Sequence, residues 1–380
     1  MRYRSFPRIP GVPVSVLGFG CMRLPVLDGD PKRIDEEAAQ PLLRRAIDAG
    51  VNYVDTAYPY HGGESEPFVG RALRDGYRDK VQLATKLPVW LVQEERDWER
   101  LLDEQLRKLD TDHLDFYLLH ALNTARWQTV LDLKGLAAME RARADGRIRH
   151  LGFSFHDALK VFKPIVDGYD WEFCQIQFNF MDQGYQAGVE GLRYAAARGI
   201  GSIAMEPLRG GTLAVEQPVD VQAIWARAAV RRPPAGWALG WVWNHPEVVT
   251  ALSGMNASTQ LAENLAAAGR AETGGLSAGD LALVEEVRNL YAARMRVPCT
   301  TCGYCAPCPS GVGIPEVFAS YNTGSMFGTW QTAAWGYRTF VAGPGHGADR
   351  CQACGACQPL CPQQIPIMEK LKEAHAALEA

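Results

Sequence analysis

A chain of 380 residues, 47% of them hydrophobic, can bury a large core and exceeds the about 250 residues that one α/β barrel typically needs, so a barrel with an appendage is expected. A net charge of −4, with the densest basic stretches at 141–149 and 227–232 resembling solvated helix ends, argues against a nucleic-acid-binding stripe. No apolar run approaches the about 20 residues that cross a bilayer, and Met1-Arg2-Tyr3-Arg4-Ser5-Phe6-Pro7 lacks the apolar stretch of a signal peptide, so the expectation is a soluble, cytoplasmic protein without a membrane partner.

From Val14 to about residue 268, short β-branched and apolar runs alternate with longer amphipathic segments, the pattern of β-α units around a parallel sheet. Strands are expected at 14–19, 52–57, 81–86, 114–120, 148–154, 173–178, 201–207 and 248–254. Eight such units close a (β/α)8 TIM barrel. The intervening segments carry apolar residues three or four apart, as in Trp98, Leu102, Leu106 and Leu109, and several end on glycine, at Gly50, Gly146, Gly168 and Gly199. A further helix over 277–295 has Leu281, Val284, Val287 and Leu290 along one face and Asp280 in its first turn. It completes a first domain expected over 1–295. Beyond it the composition shifts to cysteine, glycine and proline, and the stretch between Cys308 and Cys351 carries Phe318, Tyr321, Phe327, Trp330, Trp335 and Tyr337. These aromatic residues suit a small, mostly helical domain over 296–380 better than a bare linker.

Eight of the ten cysteines fall in two runs, Cys299-x-x-Cys302-x-x-Cys305-x-x-Cys308-Pro309 and Cys351-x-x-Cys354-x-x-Cys357-x-x-x-Cys361-Pro362. Three cysteines spaced by two residues let one loop wrap an iron-sulfur cluster, while the proline turns the fourth toward a neighbouring cluster. Two such runs point to two 4Fe-4S clusters. Structural zinc takes paired knuckles that are well separated, and disulfides belong to oxidising compartments, so both fit the spacing less well. Two clusters exceed what is needed to staple a small domain, which favours a redox role over a purely structural one. Of the remaining two, Cys174 reads as a small buried apolar residue, and the role of Cys21 is left open.

In an eight-stranded barrel the active site lies at the C-terminal ends of the strands. The second expected strand carries Asp55, with Tyr60 five residues on; the third ends in Lys86 and the fourth in His120. Each emerges from an apolar run, where an unpaired charge is costly, so Asp55 and Lys86 are expected to face one another. An ammonium beside Tyr60 should lower the phenol from its reference pKa of about 10 toward the working range. A phenol of tuned acidity beside an imidazole suits carbonyl reduction, in which hydride arrives at carbon while a proton arrives at oxygen. Tyr58, His61, Trp90 and Asn123 follow strand ends and are candidate pocket walls.

Asp55-Thr56-Ala57-Tyr58-Pro59-Tyr60, the Lys86 of Ala84-Thr85-Lys86 and the His120 of Leu118-Leu119-His120 resemble the catalytic tetrad of the aldo/keto reductases, with Gly18-Phe19-Gly20-Cys21-Met22-Arg23 as the opening loop. The resemblance covers roughly the first 270 residues, and with the cysteine runs the chain resembles the branch of that family that carries a C-terminal ferredoxin-like domain. It implies Tyr60 as proton donor, Lys86 and Asp55 as its tuning pair and His120 as orienter of the substrate oxygen. It also implies a nicotinamide cofactor, with Ser154 and Gln175 on the carboxamide, Glu206, Pro207 and Leu208 beside the nicotinamide and pyrophosphate, and Ser253, Gly254, Gln260, Glu263 and Asn264 toward the adenosine. Met205 stands where many relatives have a stacking aromatic residue, and Phe155 where they have asparagine. Gln260 and Gly254 stand where cations often grip the 2′-phosphate, which weakens the case for NADP and leaves NADH, NADPH or no nicotinamide open. Flavin is not excluded. By the same resemblance Cys299, Cys302 and Cys305 share a cluster with Cys361, and Cys351, Cys354 and Cys357 share one with Cys308.

The leading expectation is an oxidoreductase that interconverts a small carbonyl compound and an alcohol, coupled to electron transfer through the clusters, with a redox partner protein possible. Its rival is an electron-transfer or partner-binding iron-sulfur protein whose barrel is a non-catalytic platform.

Overall fold

The computed structural model describes residues 1–299, 305–361 and 363–380. Contacts divide the chain into two compact units, Met1–Val215 with Arg232–Leu281, and Glu216–Arg231 with Ala282–Ala380. The helix Ala278–Ala293 passes from one to the other.

In the first unit eight parallel strands close a barrel: β1 Leu17–Gly20, β2 Tyr53–Asp55, β3 Gln82–Leu87, β4 Leu114–Leu122, β5 Ile148–Phe155, β6 Phe173–Gln177, β7 Gly201–Met205 and β8 Val248–Ser253, with β8 pairing both β1 and β7. The strands β6, β7 and β8 are buried on both faces, so apolar residues dominate them without strict alternation and even the polar Gln175, Gln177, Ser202, Thr250 and Ser253 are buried. Every expected strand has a counterpart, with one division. The run 14–19 is split: Val14–Ser15 pairs antiparallel with Tyr3–Arg4, and the barrel strand starts at Leu17. A continuous apolar run cannot show that its first half belongs to a different sheet.

Tyr53 and Phe173, the first residues of β2 and β6, meet Phe116 and Phe6 inside the barrel at ring-centroid distances of 5.1 to 5.6 Å. These rings plug the N-terminal end of the sheet. A Cβ on Gly201 would come within 2.7 Å of Phe6, so the absence of a side chain there admits the plug. The opposite end, where chain leaves the strands into loops, stays accessible.

Helices follow the expected rhythm. The segment around Trp98 forms Asp97–Lys108, burying Trp98, Leu101, Leu102, Gln105 and Leu106. One expected glycine cap differs: Gly168 has φ −79°, not the left-handed backbone of Gly50, Gly146 and Gly199. Room is the constraint there, because a Cβ on Gly168 would lie 2.5 Å from the Trp127 ring.

The second unit includes the helices Ile314–Phe327, Trp330–Tyr337 and Ile367–Glu379 around a small core that contains Val297, Val317, Phe318, Tyr337, Ile367 and Leu371. Cys357 is buried in this core, and Cys299, Cys305, Cys308, Cys351 and Cys361 pack against it partly buried. Cys302 lies outside the described residues. Among the described residues no helix is long and apolar enough to cross a membrane.

Candidate active site

Lys86, near the end of β3, has a side chain with no solvent exposure. Its ammonium donates to Asp55 Oδ2 on β2 at 2.7 Å, to the Thr56 carbonyl at 2.8 Å and to Tyr60 Oη at 3.3 Å. The neighbouring strands set this geometry, since parallel pairing of β2 and β3 places Asp55 opposite Ala84, two residues before Lys86. Tyr60 opens a short turn over Tyr60–Gly63, and the next residue fixes that turn: His61, at φ 54°, accepts from the Leu24 N–H at 3.2 Å and holds the Pro31 carbonyl through Nδ1 at 2.6 Å. His120, on β4, brings its ring to 6.2 Å from Tyr60 and 5.0 Å from Trp90. Three successive strands thus deliver Asp55, Lys86 and His120 to one spot, with Tyr60 from the loop after β2.

Electrostatics correct one expectation. Burial raises the Tyr60 phenol above its ordinary pKa, and Lys86 opposes that rise without reversing it. The phenol therefore keeps its proton at neutral pH, which suits an acid rather than a phenolate base. Burial would depress Lys86, but the charges of Asp55 and Tyr60 outweigh it and leave the ammonium stabilised. Burial pushes the Asp55 carboxyl up, against the pull of Lys86. His120 is held well below the usual imidazole range, by burial first and then by the charges of Lys86, His156 and Arg126. Its imidazole is neutral.

Asp55, Tyr60 and His120 border a cavity of about 330 Å³ at the C-terminal ends of the strands, with Lys86 buried behind them. Asp55, Tyr60, His120, Gln175, Glu206, Pro207, Leu208, Ser253, Gly254 and Gln260 line it, as does Met205. Other expected residues are set back. The Ser154 hydroxyl accepts from the Ala121 N–H at 2.7 Å, Asn264 donates to Ser253 Oγ at 2.9 Å, and Glu263 is exposed on the helix Ser258–Ala268. Among the candidate walls, Tyr58 is tied to Glu104 at 3.0 Å, His61 to the loop described above, and Asn123 caps the helix Thr124–Asp132; Trp90 stands beside His120. The cavity also takes in His156, Gly210 and Gly211, to which the sequence reading assigned no role, Arg23 from the opening loop, and Asn256 from within the stretch 253–264 expected toward the adenosine. His156 directly follows β5, so the strand-end rule could have found it. Arg23 follows β1, and its guanidinium approaches Gly210 closely enough that a Cβ there would sit 3.4 Å from it.

Asp55 Oδ1, His120 Nδ1 and both amide atoms of Gln175 make no well-aligned hydrogen bond among the described residues, although the Gln175 amide is close enough to Asp55 to pull its carboxyl pKa down. Unpartnered buried amides are costly, and a ligand that presents a donor and an acceptor to Gln175 removes that cost. Cys21 and Cys174 are buried; burial pushes the Cys174 thiol up to about 12 and that of Cys21 higher, so neither is a nucleophile at neutral pH.

In the second unit the stretch after Cys308 is stitched to the stretch before Cys351. Gly313 N–H donates to the His346 carbonyl at 2.9 Å, His346 Nδ1 meets the Gly311 carbonyl at 2.8 Å, and Arg350 Nε donates to the Ser310 carbonyl at 3.2 Å. Burial pushes the Cys357 thiol up, and the nearby sulfurs of Cys308, Cys351 and Cys354 push the same way. Among the described residues no three acidic, histidine or cysteine side chains form a group that holds a single metal ion.

A closed parallel barrel whose mouth gathers a carboxylate, a lysine, a tyrosine and a histidine defines an oxidoreductase site. Residues 16–288 match the model of the aldo/keto reductase family and residues 298–366 that of a 4Fe-4S dicluster domain, and the chain belongs to the aldo/keto reductase family. The L-galactose dehydrogenase of Arabidopsis thaliana is 25% identical over 308 residues, which cover 74% of this chain and 93% of that protein. A probable aldo-keto reductase of Glycine max is 31% identical over 154 residues, 38% of this chain; the match spans only 42% of that relative's length. Among solved structures, an aldo-keto reductase of Klebsiella pneumoniae in complex with NADPH is 25% identical with a TM-score of 0.61, covering 76% of this chain and 95% of its own. The holo form of an aldo-keto reductase from Bacillus halodurans, 24% identical with a TM-score of 0.63 over 75% of this chain and 96% of its own, shares the fold.

Proposed function

We propose that the protein reduces a small carbonyl compound to its alcohol, or runs the reverse reaction, with Tyr60 as proton donor, and that two 4Fe-4S clusters in its second unit couple this chemistry to electron transfer. The observation that carries the reading is the contact set of Lys86, which joins Asp55 and Tyr60 in a dry site beside a neutral His120. Tyr60 gives its Oη proton to the carbonyl oxygen, and Lys86 stabilises the phenolate left behind. His120 donates a hydrogen bond to the same oxygen and orients it.

Gln175 offers its two unpartnered amide atoms to a carboxamide, and Arg23, Gly210, Gly211 and Gly254 give a cationic, uncrowded cradle suited to phosphates. Arg23 supplies a positive charge where Gly254 and Gln260 supply none, so a phosphate-bearing dinucleotide fits the residues present, as in the Klebsiella pneumoniae neighbour solved with NADPH. When bound, a reduced nicotinamide would supply hydride, two electrons at once, and two 4Fe-4S clusters exchanging one electron each would together match that pair, so the clusters would take or give the electrons of one hydride equivalent. Cys351, Cys354, Cys357 and Cys308 suit one cluster, because the hydrogen bonds between 310–313 and 346–350 hold the two runs together and the four sulfurs influence one another. With Cys308 used there, the crossed pairing implied by the resemblance would leave Cys361 to complete the cluster of Cys299, Cys302 and Cys305.

Tyr60→Phe tests the catalytic role. With methylglyoxal as carbonyl probe and NADPH or NADH as donor, turnover should fall by about 10²- to 10⁴-fold while dinucleotide binding and melting temperature stay as in the wild type. Unchanged turnover refutes the role given to Tyr60.

A further inference from the structure

The strand that carries His120 is irregular where it matters. Along β4 and β5, Leu119 pairs with Phe153 and Leu122 with Phe155, so three steps on one strand match two on the other. The extra residue is accommodated at His120–Ala121, and Ala121 sits at φ 50°, a left-handed conformation that an alanine keeps only where its surroundings hold it. Two hydrogen bonds do so. The Ala121 N–H donates to Ser154 Oγ at 2.7 Å, and the Ala121 carbonyl accepts from Arg126 Nη1 at 2.6 Å.

Arg126 is an unusual residue to spend on one carbonyl. Its guanidinium lies 4.9 Å over the Trp90 ring, and Trp90 in turn stands 5.0 Å from His120. Among the described residues it has no ion-pair partner, and its own backbone N–H is taken by the Asn123 cap at 2.9 Å, which fixes the first turn of the helix that carries it. His120 itself has an unpartnered Nδ1 among the described residues, so its orientation is set from the backbone side rather than by a hydrogen bond to its own ring.

We propose that Arg126 is a positioning residue for the reduction: by clamping the Ala121 carbonyl against Trp90 it holds the β4 bulge that aims His120 into the cavity. The inference rests on the catalytic reading of His120 above. Arg126 is not among the residues lining the cavity and acts through backbone geometry. Its charge also faces the His120 imidazole together with Lys86 and His156, while Tyr60 and Trp90 present rings.

The test uses the full-length, cluster-loaded protein with Arg126→Ala and Arg126→Lys, each examined by crystallography and, with methylglyoxal as carbonyl probe, by steady-state kinetics. In Arg126→Ala the proposal expects Ala121 to leave the left-handed region and His120 to withdraw from the cavity, with kcat lowered about 10- to 100-fold and KM little changed. Arg126→Lys keeps a donor for the Ala121 carbonyl and should restore both the bulge and most of kcat. The proposal is overturned if Arg126→Ala crystallises with the bulge and His120 in place, or if the lysine variant loses as much kcat as the alanine one. Should the wild type fail to reduce the probe, the crystal structures alone still decide whether Arg126 holds the bulge.

Discussion

In the barrel, a fully buried ammonium is answered on three sides, by Asp55, the Thr56 carbonyl and Tyr60, so the charge is balanced by the protein's own atoms. In the second unit, Cys308, Cys351, Cys354 and Cys357 present like groups to one another, and the apolar core beneath them is small. The contrast separates two ways of building a redox protein. A large core can preorganise a polar site unaided, whereas a small one with crowded sulfurs is completed by a cationic centre that also becomes part of its folding energy.

Removing iron from the whole protein should have the largest effect and should be confined to one side of this contrast. Structural metal sites contribute on the order of 10 kcal/mol to folding, so hydrogen exchange after chelation should collapse protection across the second unit while the barrel strands stay protected. Equal loss in both units would erase the distinction. Lys86→Met probes the other side. It leaves the Asp55 carboxylate buried without its partner, at a cost of about 3–5 kcal/mol in urea unfolding, and the visible absorbance of the clusters should persist. A stability within about 1 kcal/mol of the wild type would mean that the pair is not the dry, obligatory contact described.

The smallest effect concerns pH. Burial holds His120 below its ordinary pKa, and the same cause lowers His61, His156 and His245. The unfolded chain therefore binds more protons than the folded one once pH drops below about 6.5, so stability should decline from there downward, with His120 contributing up to about 1.4 kcal/mol per pH unit until its folded pKa is reached. Urea unfolding of the barrel at successive pH values, with and without His120→Phe, measures that slope. The buried Asp55 and Glu66 carboxyls, raised by burial, act in the opposite sense, so the His120 contribution is read from the difference, and a slope between pH 7 and 5 unchanged by His120→Phe would contradict it.

The barrel was legible because parallel strands buried on both faces leave short, mostly apolar segments between amphipathic helices, as in Gly201–Met205 and Val248–Ser253. The cysteine spacing was legible because a cluster dictates it. Three features were not. The split at Val14–Ser15 hides inside one apolar run, and the bulge at Ala121 has no glycine to mark it. The grouping of 216–231 with the second unit is likewise invisible, since an amphipathic helix announces an apolar face but not which core will cover it. The sign of the Tyr60 shift failed for a related reason: residue order reveals that Lys86 is near but not how much water both have lost. His156 went unremarked and Arg23 was read only as part of the opening loop, because loops acquire meaning only once the strands bring them to one mouth.

The central claim is that one chain joins a proton-donating tyrosine to redox-active iron-sulfur clusters, and it is tested most directly by adding NADPH, then NADH, to anaerobic cluster-loaded protein while recording visible absorbance. The account predicts bleaching with at least one of the two. Unchanged cluster absorbance with both, under conditions where dinucleotide binding is seen by fluorescence, would contradict it.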